Sequence, residues 1–111
     1  LHVHTEFSLL DGFCKIKELP GVVKAMGQTA CAITDHGVMY GVIDFYRACK
    51  AEGIKPIIGC EVYVAPQGRT RFDKVHEFDS ESRHLVCCAK TRRATATSPT
   101  WCPWRGRRAF T

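Results

Sequence analysis

The feature that most constrains the fold is the run Lys55-Pro-Ile-Ile-Gly-Cys-Glu-Val-Tyr-Val64. Its apolar and β-branched residues read as a buried strand, and Pro56 suits a strand's first positions. Glu61 stands inside that run, and a carboxylate taken out of water there needs a partner. The rest of the chain must deliver that partner to the end of this strand.

Two further segments have the same texture. Ala30 to Thr34 reads as a short buried strand closed by Asp35-His36-Gly37, and His84 to Ala89 reads as another, with His84 at its edge. Leu1 to Thr5 is expected to be the first strand. Its period of two places His2 and His4 on one face and sends Leu1 and Val3 into the core. Between the strands lie two helical patterns. Ile16, Leu19, Val22, Val23 and Met26 mark the first, which either begins at Pro20 as a first-turn residue or is kinked there, and stops at Gly27. Val42 to Glu52 marks the second, with Val42, Phe45, Tyr46 and Cys49 on one face and Gly53 as its terminal glycine. The order predicts an α/β fold with parallel strands, about four of them present, too few to close a barrel. Pro66 to Arg83 is polar, without period, and expected to be an exposed excursion that leaves His76 in solvent.

Charge excludes one easy reading. The formal charge is +5, yet residues 1–90 hold 11 basic and 11 acidic side chains, and the five arginines of residues 91–111 supply the excess. A neutral body does not read as a DNA-binding surface from charge alone, because affinity for nucleic acid needs a clustered basic face. The seven cysteines, at 14, 31, 49, 60, 87, 88 and 102, form no Cys-x-x-Cys and are expected to be mostly buried reduced thiols. No apolar run approaches the roughly 18 to 20 residues of a membrane span and no signal-peptide pattern is present, so a cytoplasmic protein without membrane contact is expected. The chain opens on Leu1 rather than Met and is expected to be a fragment of a longer protein.

In a β/α arrangement successive strand ends lie side by side. His2, His4, Asp11, His36, Glu61 and His84, with Asp35 beside them, would then surround one pocket. Imidazoles and carboxylates hold divalent cations, and paired cations a few ångströms apart serve hydrolysis of phosphoesters. Each residue also has an ordinary reading. Asp11 before Gly12 is a turn residue, Asp35 a helix cap or a group that orients a histidine, and His36 and His84 a loop residue and an exposed strand start.

Three stretches carry a resemblance: Leu1-His-Val-His-Thr-Glu-Phe-Ser-Leu-Leu-Asp-Gly12, Ala32-Ile-Thr-Asp-His-Gly-Val-Met-Tyr-Gly41 and Gly53-Ile-Lys-Pro-Ile-Ile-Gly-Cys-Glu-Val-Tyr-Val64. Over residues 1–90 the chain resembles the start of the polymerase and histidinol phosphatase (PHP) domain of bacterial replicative DNA polymerase III alpha subunits. The resemblance implies an incomplete PHP-type β/α barrel. It also implies two or three divalent ions, zinc, manganese or iron, in the intact domain, held here by His2, His4, Asp11, His36, Glu61 and His84, with Asp35 orienting one ligand. It implies a 3′-5′ exonuclease-type phosphoesterase within a DNA-directed DNA polymerase, whose partners are DNA and the other replicative subunits, the fragment itself having no polymerase activity. Two alternatives stand beside it: a structural module that docks a proofreading subunit, and a stand-alone phosphoesterase such as a histidinol phosphatase.

Residues 91–111 depart from the pattern. Family members continue with Asn-Glu-x-Gly-Tyr-x-Asn-Leu. Under one permitted codon choice, restoring a single base after the Lys90 codon turns Thr91 to Thr97 into Asn-Glu-Glu-Gly-Tyr-Arg-Asn. The expectation is an out-of-frame stretch from Thr91 to about Gly106; the alternative is a genuine basic tail whose tryptophans stack on bases.

Overall fold

The computed structural model describes residues 1–64 and 83–90. The proposed out-of-frame tail, His76 and Cys102 lie outside them. The described elements run α1 (Leu19–Ala25), β1 (Ala30–Ile33), α2 (Val42–Glu52), β2 (Lys55–Val64) and β3 (Arg83–Cys88). The strands form one sheet in the order β1-β2-β3.

Helix α1 takes the first of the two forms open to it: it starts at Leu19 with Pro20 in its first turn, where a missing N–H costs nothing. It ends at Ala25, two residues before Gly27, whose φ of 73° is left-handed. Helix α2 has the expected bounds, and Gly53, at φ 72°, lets Gly53 and Ile54 donate back to Lys50 and Cys49. Ile16, Val23, Cys31, Ile33, Val42, Phe45, Cys49 and Ile54 pack into one core between the helices and one face of the sheet. Three residues expected on apolar helix faces lie outside it: Val22 and Met26 are exposed, and Tyr46 stays at the surface with Lys50 Nζ 5.7 Å from its ring centre. Cys31, Cys49 and Cys60 are buried as expected, but Cys88 is exposed.

Two expectations about the sheet need correction. β1 and β2 pair in parallel, Ile33 opposite Ile58, but β3 runs antiparallel to β2, with Glu61 opposite Val86 and Tyr63 opposite His84. Parallel pairing needs a crossover, usually a helix, to return the chain to the starting edge, and the sequence from 65 to 82 has no helical period.

Leu1 to Thr5 forms no regular strand. It lies against the end of β1, Val3 and Thr34 bonding to one another, and against Cys14, whose carbonyl accepts from Glu6 N–H at 3.0 Å. Side chains replace a ladder partner: Val3 N–H donates to Thr34 Oγ1 and Thr5 N–H to the Asp35 carboxylate. Leu1, expected in the core, is exposed.

Candidate metal centre

The β1–β2 register continues past Ile33 opposite Ile58, so that His36 meets Glu61 across a parallel bridge. Glu61 N–H donates to Asp35 O and Gly37 N–H to Glu61 O, which fixes both backbones. Side chains alternate along a strand, so His36 and Glu61 emerge on the face opposite Ile33 and the helices. Tyr63, two residues beyond Glu61, shares that face, and so do its antiparallel partner His84 and Val86, the partner of Glu61.

The reversed β3 is what brings His84 in. In a parallel strand its first residues would sit beside the start of β2, about 20 Å from Glu61 at ~3.3 Å per residue. Antiparallel pairing instead sets His84 diagonal to Glu61, with His84 Nδ1 2.5 Å from Glu61 Oε1.

Glu61 is the hub. His2 Nε2 and His4 Nε2 lie 2.5 and 2.7 Å from Glu61 Oε2 and 2.9 Å from each other. His36 Nδ1 lies 3.6 Å from Glu61 Oε1, while its Nε2 is 2.9 Å from Asp11 Oδ2. Burial pushes the Glu61 carboxyl up, but hydrogen bonds from His2, His4 and His84, with the charge of His36, outweigh it and hold the group at about 2. All six expected residues therefore converge.

They fall into three overlapping groups, His2–His4–Glu61, His4–Asp11–His36 and His36–Glu61–His84, each with ligand atoms within 4.8 Å of one another. Four imidazoles and two carboxylates are a donor set that zinc, manganese and iron all accept. One atom speaks for a cation in particular. His36 Nδ1 is buried without a hydrogen-bond partner, and it faces the middle of the cluster. A buried nitrogen left so is costly, and coordination would satisfy it.

Asp35, expected to orient one histidine ligand, bonds to the segment that carries two of them. Its Oδ1 accepts from Thr5 N–H at 2.5 Å and Ser8 Oγ–H at 2.8 Å, and its Oδ2 from Thr5 Oγ–H at 2.7 Å. Thr5, Ser8 and Asp35 are all nearly inaccessible. The carboxylate thus pins the backbone that carries His2 and His4, and it reaches His36 only through Ser8 Oγ, which accepts the His36 N–H at 3.2 Å.

The same segment then turns, Asp11 and Gly12 N–H both donating to Ser8 O, and the turn delivers Asp11 to His36. Gly12 is required there, because a Cβ would collide with the Thr5 carbonyl. The sequence reading passed over Thr5, Ser8 and Tyr63. Tyr63 was visible in principle, since it stands one strand period beyond Glu61.

Comparison with known proteins places the chain in a family. A family model described as PHP domain matches residues 1–96. The DNA polymerase III subunit alpha of Treponema pallidum is 50% identical over 91 residues, covering 81% of this chain and 8% of that protein. Those of Chlamydia muridarum and Aquifex aeolicus are each 46% identical, over 91 and 94 residues, again covering 81% of this chain. The chain thus spans 7 to 8% of the length of these relatives. With the family model covering most of its length and the histidine cluster assembled as described, this chain belongs to the PHP domain family.

Proposed function

We propose that this chain is the opening part of a PHP-type β/α barrel within a DNA polymerase III alpha subunit, and that its cluster is a metal-dependent phosphoesterase site of the 3′-5′ exonuclease type. The observation that carries the reading is the convergence of four imidazoles on one buried carboxylate, that of Glu61, with His36 Nδ1 left for a cation. His2, His4 and Glu61 would hold one ion, and Asp11, His36 and His84 would complete neighbouring positions. Ions so placed would supply Lewis acidity toward a phosphoryl oxygen and a water nucleophile.

The protein's own share is positional. Asp35 fixes the loop that carries two ligands, and the β1–β2 bridge fixes two more. Glu61, its carboxyl held well below the usual carboxylate range by its histidine partners, would balance cation charge throughout the physiological range. DNA and the other replicative subunits are the partners of the whole protein on this reading, and polymerisation belongs to regions beyond this segment.

The test is metal content of the purified chain by mass spectrometry, followed by hydrolysis of a chromogenic phosphodiester and of 3′-recessed DNA by the full-length protein. Bound metal with hydrolysis that Glu61→Gln abolishes is the expected result. Bound metal without hydrolysis in the full-length protein would instead favour a structural module that docks a proofreading subunit.

A further inference from the structure

Beside the cluster lies a cleft of about 510 Å³, within the range of small-molecule sites. Asp11, His36 and His84 belong to both, so a phosphoryl group held at the cluster has its organic remainder directed into this cleft. Its lining also includes three aromatic side chains, Phe7, Tyr40 and Tyr63. Among the described residues no lysine or arginine lines it.

Tyr63 is the best placed of the three. Its ring stands edge-on to His84, centroids 4.8 Å apart and planes at 86°, which orients it from the cluster side. Gly37 lies against it, and a Cβ there would come within 3.2 Å of Tyr63 Cε2. The ring is thus held in place, yet 55% of the residue remains exposed. A held, half-exposed ring on the rim of a phosphoester pocket is a stacking platform.

We infer that this cleft is a nucleobase subsite, in which Tyr63 stacks on the unpaired base of the nucleotide whose phosphate sits at the cluster. The inference rests on the phosphoesterase reading and adds what that site selects: a base turned out of the helix, of any sequence, because every base presents a π-face. Paired 3′ ends, whose terminal base stays stacked in the duplex, would be disfavoured.

The test uses three probes on the metal-loaded 111-residue chain, read by calorimetry: inorganic phosphate, 2-deoxyribose 5-phosphate and thymidine 5′-monophosphate. The nucleotide should bind roughly 5- to 100-fold more tightly than the base-less sugar phosphate. Tyr63→Leu should bring that ratio to within about twofold of unity, whereas Tyr63→Phe, which keeps the ring, should preserve it. A wild-type ratio near one, or a Tyr63→Leu ratio equal to wild type, overturns the subsite while leaving the phosphoester site standing if phosphate still binds. Failure of inorganic phosphate to bind the loaded chain overturns both.

Discussion

Replacing Glu61 by Gln separates what the carboxylate does for metal from what it does for the fold. The side chain keeps its shape and two polar atoms. It loses the charge that His2, His4 and His84 converge on, and one oxygen becomes a donor. In the metal-free chain these changes oppose each other: charge-assisted hydrogen bonds weaken, but the burial that pushes Glu61 upward no longer has a charge to act on. Because the lowered carboxyl shows that its partners outweigh burial, the metal-free stability should fall, by about 1 to 3 kcal/mol. Metal binding has no such compensation. Glu61 is a member of two of the three ligand groups, and loss of an ionised partner worth about 2.7 kcal/mol corresponds to roughly 100-fold in affinity.

Thermal melting reads both quantities. At metal one hundred times the wild-type Kd, binding adds about 2.7 kcal/mol to stability. At about 4 to 8 °C per kcal/mol for a domain of this size, the wild-type midpoint should rise by roughly 11 to 22 °C. In Glu61→Gln the same metal concentration only equals Kd, which adds about 0.4 kcal/mol, a rise of roughly 2 to 3 °C. An equal metal-induced rise in the two proteins would refute the assignment of Glu61 as a ligand. A collapse of the metal-free variant would show that its charge is instead needed by the fold.

Three further outcomes follow from the same geometry. Asp35→Ala leaves Thr5 N–H, Thr5 Oγ–H and Ser8 Oγ–H without their acceptor in a buried setting, and should lower the urea unfolding free energy by about 3 kcal/mol against about 1 for Asp35→Asn. Metal affinity should fall as pH is lowered, because imidazole binds a metal only in its neutral form, and metal binding should release protons, as measured by calorimetry in buffers of different ionisation heat. Glu61 does not contribute to that fall: its carboxyl is lowered from 4.5 to about 2, so the stabilisation it brings is complete above about 4.5 and lost only as pH descends toward 2. The coding DNA across Lys90 to Gly106 should accept a single restored base and then read as the family's helix, and codons incompatible with that frame would refute the out-of-frame origin of the tail.

Much of the fold was legible because its elements carry local signals. Gly53 closes α2 with a left-handed φ, Pro20 fits a first turn, and the β-branched run of β2 has the bounds its composition gives. The failures share a cause, in that neither depends on a residue's own neighbours. Whether Leu1 to Thr5 forms a ladder depends on where Thr34 and Asp35 place their oxygens, 30 residues away for the Thr5–Asp35 bond. Whether β3 runs parallel or antiparallel depends on the path of the connection, which side-chain periodicity within the strand does not report.

The six candidate ligands nonetheless converge, although part of the topology that argued for them was mistaken. His2 and His4 keep their common side because an extended backbone alternates whether or not it completes a ladder, and Thr34 and Asp35 hold it extended. His84 reaches Glu61 only because β3 is reversed, so a parallel reading reaches the right residue by the wrong route. What the composition of β2 fixed was the demand. A carboxylate 4% exposed within an apolar strand must be met by hydrogen-bond donors or cations, and any arrangement that leaves it unmet is costly. That demand selects among folds more sharply than the helical and strand periods do. Asp35 is equally buried. Its demand is met by Thr5 and Ser8, residues with no ionisable group to announce them.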